Sequence, residues 1–186
     1  AAVAARMVGL IEGSLAEGTE MPYTDVKAGD TYDYEIYHMT NLGIMSGYNG
    51  EFNPDGSITE EQFVKVVVEA LGDGPEAQSM GGYPHGYTIT AGKYHMLDYV
   101  SFKGAVALTQ DVAVQIIYNC LNIEMPKVTS VENGGYLTTV GGTIMSKYLN
   151  VYRSYGILNR NSNTYISVGD AAKDGVVQIG KEFYYT

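Results

Sequence analysis

Two stretches of this chain, ITEEQFVKVVVEAL (58–71) and LTQDVAVQIIYNCL (108–121), align at a spacing of fifty residues, so the fold must accommodate one helical unit used more than once. Phe63, Val66, Val67, Ala70 and Leu71 of the first correspond to Ala113, Ile116, Ile117, Cys120 and Leu121 of the second. Both sets follow the i, i+3, i+4, i+7, i+8 rule of an amphipathic helix with one buried stripe. Each is read as the packing helix of its repeat.

The ends of these helices are also legible. Thr59 and Thr109 stand where a hydroxyl can accept the orphan amide hydrogens of a first turn, and Gln62 completes a capping box with Thr59. In the second helix Asp111 favours the positive end of the helix dipole. Gly72, followed by Asp73-Gly74-Pro75, stops the first helix. The opening AAVAARMVGL matches the second half of the same unit, with Gly9 in the place of Gly72 and Val3, Ala4, Met7 and Val8 on the stripe. It is expected to be a third copy cut at its start, and its uncovered stripe makes a homodimer a possible assembly.

A shorter apolar-periodic stretch precedes each packing helix, at about 31–42 with Ile36 and Met39 facing inward, and at about 85–94. Between the first pair, GIMSGYNGEFNPDGSI (43–58) has the Gly, Asn, Asp and Pro of a loop. From about Thr129 helical periodicity gives way to β-branched, Tyr-rich and Gly-rich segments. Strands are predicted over 148–158, 164–168, 175–179 and 182–185, with a tight turn at Gly180-Lys181. The fold class is α+β. The expected division is residues 1–18 as the end of a first repeat, 19–75 a second, 76–128 a divergent third, and 129–186 a β segment.

A formal net charge of −10 opposes nucleic-acid phosphate and anionic lipid. No run of about 18 apolar residues is present, so membrane insertion is not expected. The first ten residues lack the basic start and cleavage site of a secretory leader and are read as the interior of a longer protein. Cys120 is the only cysteine and sits on an apolar stripe, which makes it core rather than nucleophile. His38, His85 and His95 lack zinc-ligand spacing, and neither a GxSxG nor a phosphate-binding glycine loop occurs. Neither catalysis nor a cofactor is expected. The 17 Tyr and 23 Gly, with no Trp, suit a surface protein that touches sugars.

The stretch YTDVKAGDTYDYEIYHMTNLGIMSGYNGEFNPDGSITEEQF (23–63) resembles an S-layer-homology repeat. Tyr23-Thr24-Asp25-Val26 matches the aromatic-Ser/Thr-Asp-Val opening of that family, Gly43 to Tyr48 its Gly-Ile-x-Ser-Gly-Tyr, and Phe52 to Gly56 its Phe-x-Pro-Asp-Gly. Ile58 to Gln62 stands for its Ile-Thr-Arg-Ala-Glu, and residues 81–122 resemble a divergent last repeat. The resemblance implies a pseudo-threefold helical bundle in which grooves between repeats bind cell-wall polysaccharide. The protein would then lie at the cell wall or S-layer of a Gram-positive-type bacterium.

Carried over residue by residue, the resemblance implies a glycan groove lined by Asp25, Gly47, Tyr48 and Thr59, with Tyr48 stacking on a sugar face. Each has a structural reading beside it. Asp25 caps a turn, Gly47 takes a positive φ, and Thr59 caps its helix. The family's polymer-binding Arg is replaced by Glu60 after Thr59 and by Gln110 after Thr109, which weakens the case for an anionic polymer. The alternatives are a spacer or protein-interaction module with degenerate repeats and, less favoured, a calcium loop. Glu51, Asn53, Asp55, Gly56 and Ile58 fall at EF-hand places, but Pro54 stiffens that loop and Gln62 takes the place of its bidentate Glu. No metal site is expected.

Overall fold

The computed structural model describes residues 1–132, 135–151, 158–160, 176–179 and 182–185, with side chains described through 126 and over 141–151. The chain divides into two compact units, Ala1–Asn150 and Val151–Thr186.

The first unit runs α1 (Ala2–Met7), α2 (Asp33–Asn41), α3 (Glu60–Leu71), α4 (Gly74–Ser79), α5 (His85–Lys93), α6 (Gln110–Cys120), β1 (Glu124–Glu132), β2 (Gly135–Thr143) and α7 (Ile144–Tyr148). Both predicted packing helices form, and so do the shorter helices ahead of them. Ile36 and Met39 of α2 are buried as expected.

Helix α3 is the centre of this unit because it is apolar on more than one stripe. Its Phe63, Val64, Val67, Val68 and Leu71 pack with Tyr87 and Ala91 of α5, Met96, Ile116 and Cys120 of α6, Met125 of β1 and Ile144 of α7. On its other side Val66 packs with Ala4 and Ala5 of α1, Met39 of α2 and Ile44. The extra valines at 64 and 68 therefore extend the predicted stripe, and burial on both sides makes α3 the member that unites the two clusters. Burying each such side chain stabilises the fold by about 1.5–3 kcal/mol.

The helix ends follow their chemistry. Thr59 and Gln62 form the capping box, and Gly72 closes α3 at φ 93°. Thr109 departs from expectation: it occupies the N-cap position of α6, but its hydroxyl donates to the Asp111 carboxylate instead of accepting a backbone N–H. Val3 departs too, 47% exposed where the stripe predicted burial, while Ala5 is buried in its stead. The Asp73-Gly74-Pro75 stop proves also to be a start. Proline in the first turn suits a helix because its missing N–H has no partner there, and α4 begins at Gly74.

Strands β1 and β2 pair antiparallel, with register shifts between Glu124 and Pro126 and between Val128 and Ser130. Strand character thus begins at Glu124, earlier than the change of pattern at Thr129 suggested. Of the strand expected over 148–158, Tyr148 instead ends the helix Ile144–Tyr148, which is capped by Thr143 and Ser146, Leu158 lies in a strand, and residues 152–157 lie outside the described residues. In the second unit β3 (Leu158–Arg160), β4 (Val176–Ile179) and β5 (Glu182–Tyr185) form an antiparallel sheet in that order. Ile179 pairs with Glu182, in line with a short connection between β4 and β5. The strand predicted over 164–168 and the turn residues 180–181 lie outside the described residues.

Candidate functional site

The sequence-derived site residues fall into two groups. The first lies on the loop between α2 and α3. Tyr48 and Glu51 exchange backbone hydrogen bonds at 2.8 and 3.0 Å, with Asn49 at φ 52° and Gly50 at φ 82° between them. Two successive left-handed residues make the two-residue hairpin turn for which Asn-Gly is the preferred sequence. The Tyr48 ring stands at its base, 81% exposed.

Three braces hold this turn. The Asp25 carboxylate accepts the backbone N–H of Phe52 at 2.8 Å and of Asn53 at 2.7 Å. These bonds, that from Phe52 foremost, hold its pKa below the usual carboxylate value. The Tyr23 hydroxyl accepts the Gly47 N–H at 2.9 Å and bonds Thr40 of α2 at 3.0 Å, while its ring packs 5.2 Å from that of Phe52. Thr24 donates its backbone N–H to Gly50 at 2.9 Å.

Gly47 is required for space. Its φ is not positive, contrary to the structural reading given it above. A Cβ there would lie 2.0 Å from the Glu51 carbonyl oxygen and 2.6 Å from the Tyr23 ring.

The second group lies where the start of α3 meets the segment leading into α6. Leu108 donates to the Ile58 carbonyl at 2.8 Å, and Glu60 to the Val106 carbonyl at 3.0 Å. Thr59 and Ala107 form a β-bridge here, so the approaches to the two packing helices run antiparallel side by side.

Glu60 is only 3% exposed, and its carboxylate accepts the backbone N–H groups of Lys103 at 2.5 Å and Gly104 at 3.2 Å. The acidic side chain that stands where the resembling family has a polymer-binding Arg is thus enclosed by the chain itself. Thr59 is engaged with Gln62 at 3.3 Å. Thr109 and Gln110 are exposed. Gln62, at the last place of the calcium-loop alignment, accepts the Thr59 N–H at 2.8 Å through its side-chain oxygen. Among the described residues no cluster of three or more His, Cys, Asp or Glu is placed to hold a metal.

Sequence reasoning passed over Tyr23 as a brace and the amides of residues 103 and 104 as partners of Glu60. The Asn49-Gly50 pair could have disclosed the turn. Nothing local marks the Glu60 partners, because they are more than forty residues away in sequence.

From Tyr23 to Gln62 the geometry defines a helix–loop–helix repeat whose loop is stitched to the Tyr23–Asp25 segment ahead of α2 and to α2 itself. Residues 22–64 match the family model of the S-layer homology domain, and this stretch of the chain is such a domain. S-layer homology domains are non-catalytic modules that anchor proteins at the cell wall. Comparison with curated proteins and with solved structures finds no match. Among the described residues no helix is long and apolar enough to cross a membrane.

Proposed function

We propose that this chain retains the protein that carries it at the cell wall by binding the neutral faces of wall polysaccharide, with Tyr48 as the principal contact. The single observation behind this is the 81% exposed Tyr48 ring on a turn braced by Asp25, Tyr23 and Thr24. An aromatic ring held ready in water loses little entropy on meeting a sugar face, so binding energy is not spent on ordering it. A neutral polymer also suits a chain of net charge −10.

In this reading residues 19–75 and 76–128 are successive repeats, residues 1–18 end an earlier one, and three repeats pack as a pseudo-threefold bundle. Each contact is weak, and retention comes from several contacts along one polymer. Asp25 and Gly47 shape the platform, and Thr109 and Gln110 are exposed at the start of α6 on the later repeat. Glu60 and Thr59 hold the repeats together and do not touch polymer. The location is extracellular, at the wall or S-layer of a Gram-positive-type bacterium.

Co-sedimentation with purified peptidoglycan carrying its secondary polysaccharide tests this. The chain should pellet, pellet less after the polysaccharide is stripped, and pellet less as Tyr48→Ala. Retention unchanged by Tyr48→Ala would instead make the repeats a spacer.

A further inference from the structure

Resting on the reading just given, we propose that Tyr99 is a second sugar-stacking contact, supplied by the loop between α5 and α6. Its ring is 95% exposed, the most exposed large hydrophobic side chain among the described residues. It makes no hydrogen bond or aromatic contact there. Full exposure of a tyrosine ring is uninformative when a loop is slack, but this loop is fixed on both sides of the residue.

Asn119 of α6 donates from its side chain to the carbonyl of Met96 at 3.0 Å and of Asp98 at 2.7 Å. His95 and Asp98 pair at 3.1 Å. Met96 is buried in the core, and Val100 donates to the Leu97 carbonyl at 3.1 Å. The backbone on either side of the ring is therefore set before any ligand arrives.

The backbone of Tyr99 adds a second argument. Its φ is +62°, a left-handed conformation that bulky side chains rarely adopt. Of the other non-glycine residues with this backbone, His95, at +61°, lies just past the end of α5 as Gly43 lies past α2, while Tyr32, at +64°, stands at the N-cap of α2. Tyr99 ends no helix and starts none. Glycine or asparagine would hold this backbone with less strain, so a tyrosine kept there, with its ring in water, points to a use for the ring.

Tyr48 and Tyr99 hold comparable places, though not the same register: each comes shortly after a left-handed residue and a buried apolar one, Tyr48 five residues after Gly43 and four after Ile44, Tyr99 four residues after His95 and three after Met96. Each stands on a braced loop between a short helix and a packing helix. The ligand chemistry is the same: an apolar pyranose face on the ring, with sugar hydroxyls free to donate to the half-exposed Asp98 carboxylate beside it.

The test is co-sedimentation of the full chain with peptidoglycan carrying its secondary polysaccharide, comparing the unchanged protein with Tyr48→Ala, Tyr99→Phe, Tyr99→Asn and the Tyr48→Ala/Tyr99→Asn double variant. Tyr99→Asn is expected to weaken retention by about three- to tenfold, the size of one aromatic contact, and Tyr99→Phe to preserve it. Tyr99→Asn should meanwhile melt at the same or a higher temperature, because it relieves the backbone; a purely structural residue would lose stability instead. The double variant should retain less than either single one. If Tyr48→Ala weakens retention and Tyr99→Asn does not, the second contact is wrong and the first stands. If the unchanged chain stays in the supernatant, both readings fall together.

Discussion

Glu60 and Gly104 meet at the junction of the two packing-helix starts, the Gly104 N–H donating to the Glu60 carboxylate at 3.2 Å beside a 2.5 Å bond from Lys103. A buried carboxylate held by two consecutive amides supports one geometry of the loop. Glu60→Ala leaves both amides without a partner and should cost about 1.5–3 kcal/mol, read as a fall in denaturation midpoint. Glu60→Arg should cost more, because a longer cation would enter an enclosed site facing N–H donors. An Arg variant as stable as the parent would refute the enclosed clamp.

The two capping threonines should respond unequally. Thr59→Ala removes a reciprocal cap and should destabilise by about 1 kcal/mol. Thr109→Ala should cost distinctly less, because its hydroxyl caps no amide. Thermal or urea denaturation of the pair decides this, and equal losses would contradict the observed difference.

Gly47→Ala should disrupt the turn below Tyr48, since the added carbon would fall 2.0 Å from the Glu51 oxygen. Relief requires movement of backbone, so a loss of about 1–3 kcal/mol is expected. Polysaccharide retention should fall with it, as in Tyr48→Ala, whereas Tyr48→Ala should leave stability unchanged.

Asp25 gives the loop an acid limit. Its pKa is lowered in the folded chain by the Phe52 and Asn53 amides. Its contribution is therefore full above the unfolded carboxylate value and is lost as pH falls through the lower folded value. Amide exchange at Phe52 and Asn53 should accelerate over that acid range and should be fast at neutral pH in Asp25→Ala.

Asp73 acts in the opposite sense. It is 5% exposed, its Oδ2 has no hydrogen-bond partner, and burial, with Glu76 adding, pushes its pKa up to about 6 against the pull of Lys93. The folded state binds more protons than the unfolded one between about pH 4 and 6, so this residue lowers stability as pH rises through that window. Asp73→Asn should remove that slope, and near neutral pH its advantage should be on the order of 1–2 kcal/mol after allowance for solvent screening. Parallel stability curves for parent and variant across the window would show that Asp73 titrates normally.

The helices were legible in the sequence because their information is local. A stripe such as Phe63, Val66, Val67 and Leu71, bounded by Thr59 and Gly72, specifies a helix and its buried side from neighbours within a few residues. The motif from Tyr23 to Gln62 was equally readable, and so were the exposed Tyr48 and the α+β composition of the chain. Where local signals were mixed, the reading slipped. Asp73-Gly74-Pro75 both ends α3 and begins α4, and Tyr148, the expected start of a strand, ends a short helix capped by Thr143.

What only the tertiary structure decided are the partners of these residues. Glu60 is an acid next to a capping threonine in the sequence and becomes a clamp only because folding brings the amides of 103 and 104 to it. Asp25 becomes a brace because the loop of Phe52 and Asn53 returns to its carboxylate. Tyr99 is one tyrosine among 17 until its backbone is seen to be held left-handed with its ring in water. Helical periodicity is written within a few residues, but a hydrogen bond across more than twenty or forty has no local signature; its partner exists only once the core around α3 has fixed where the loops must pass.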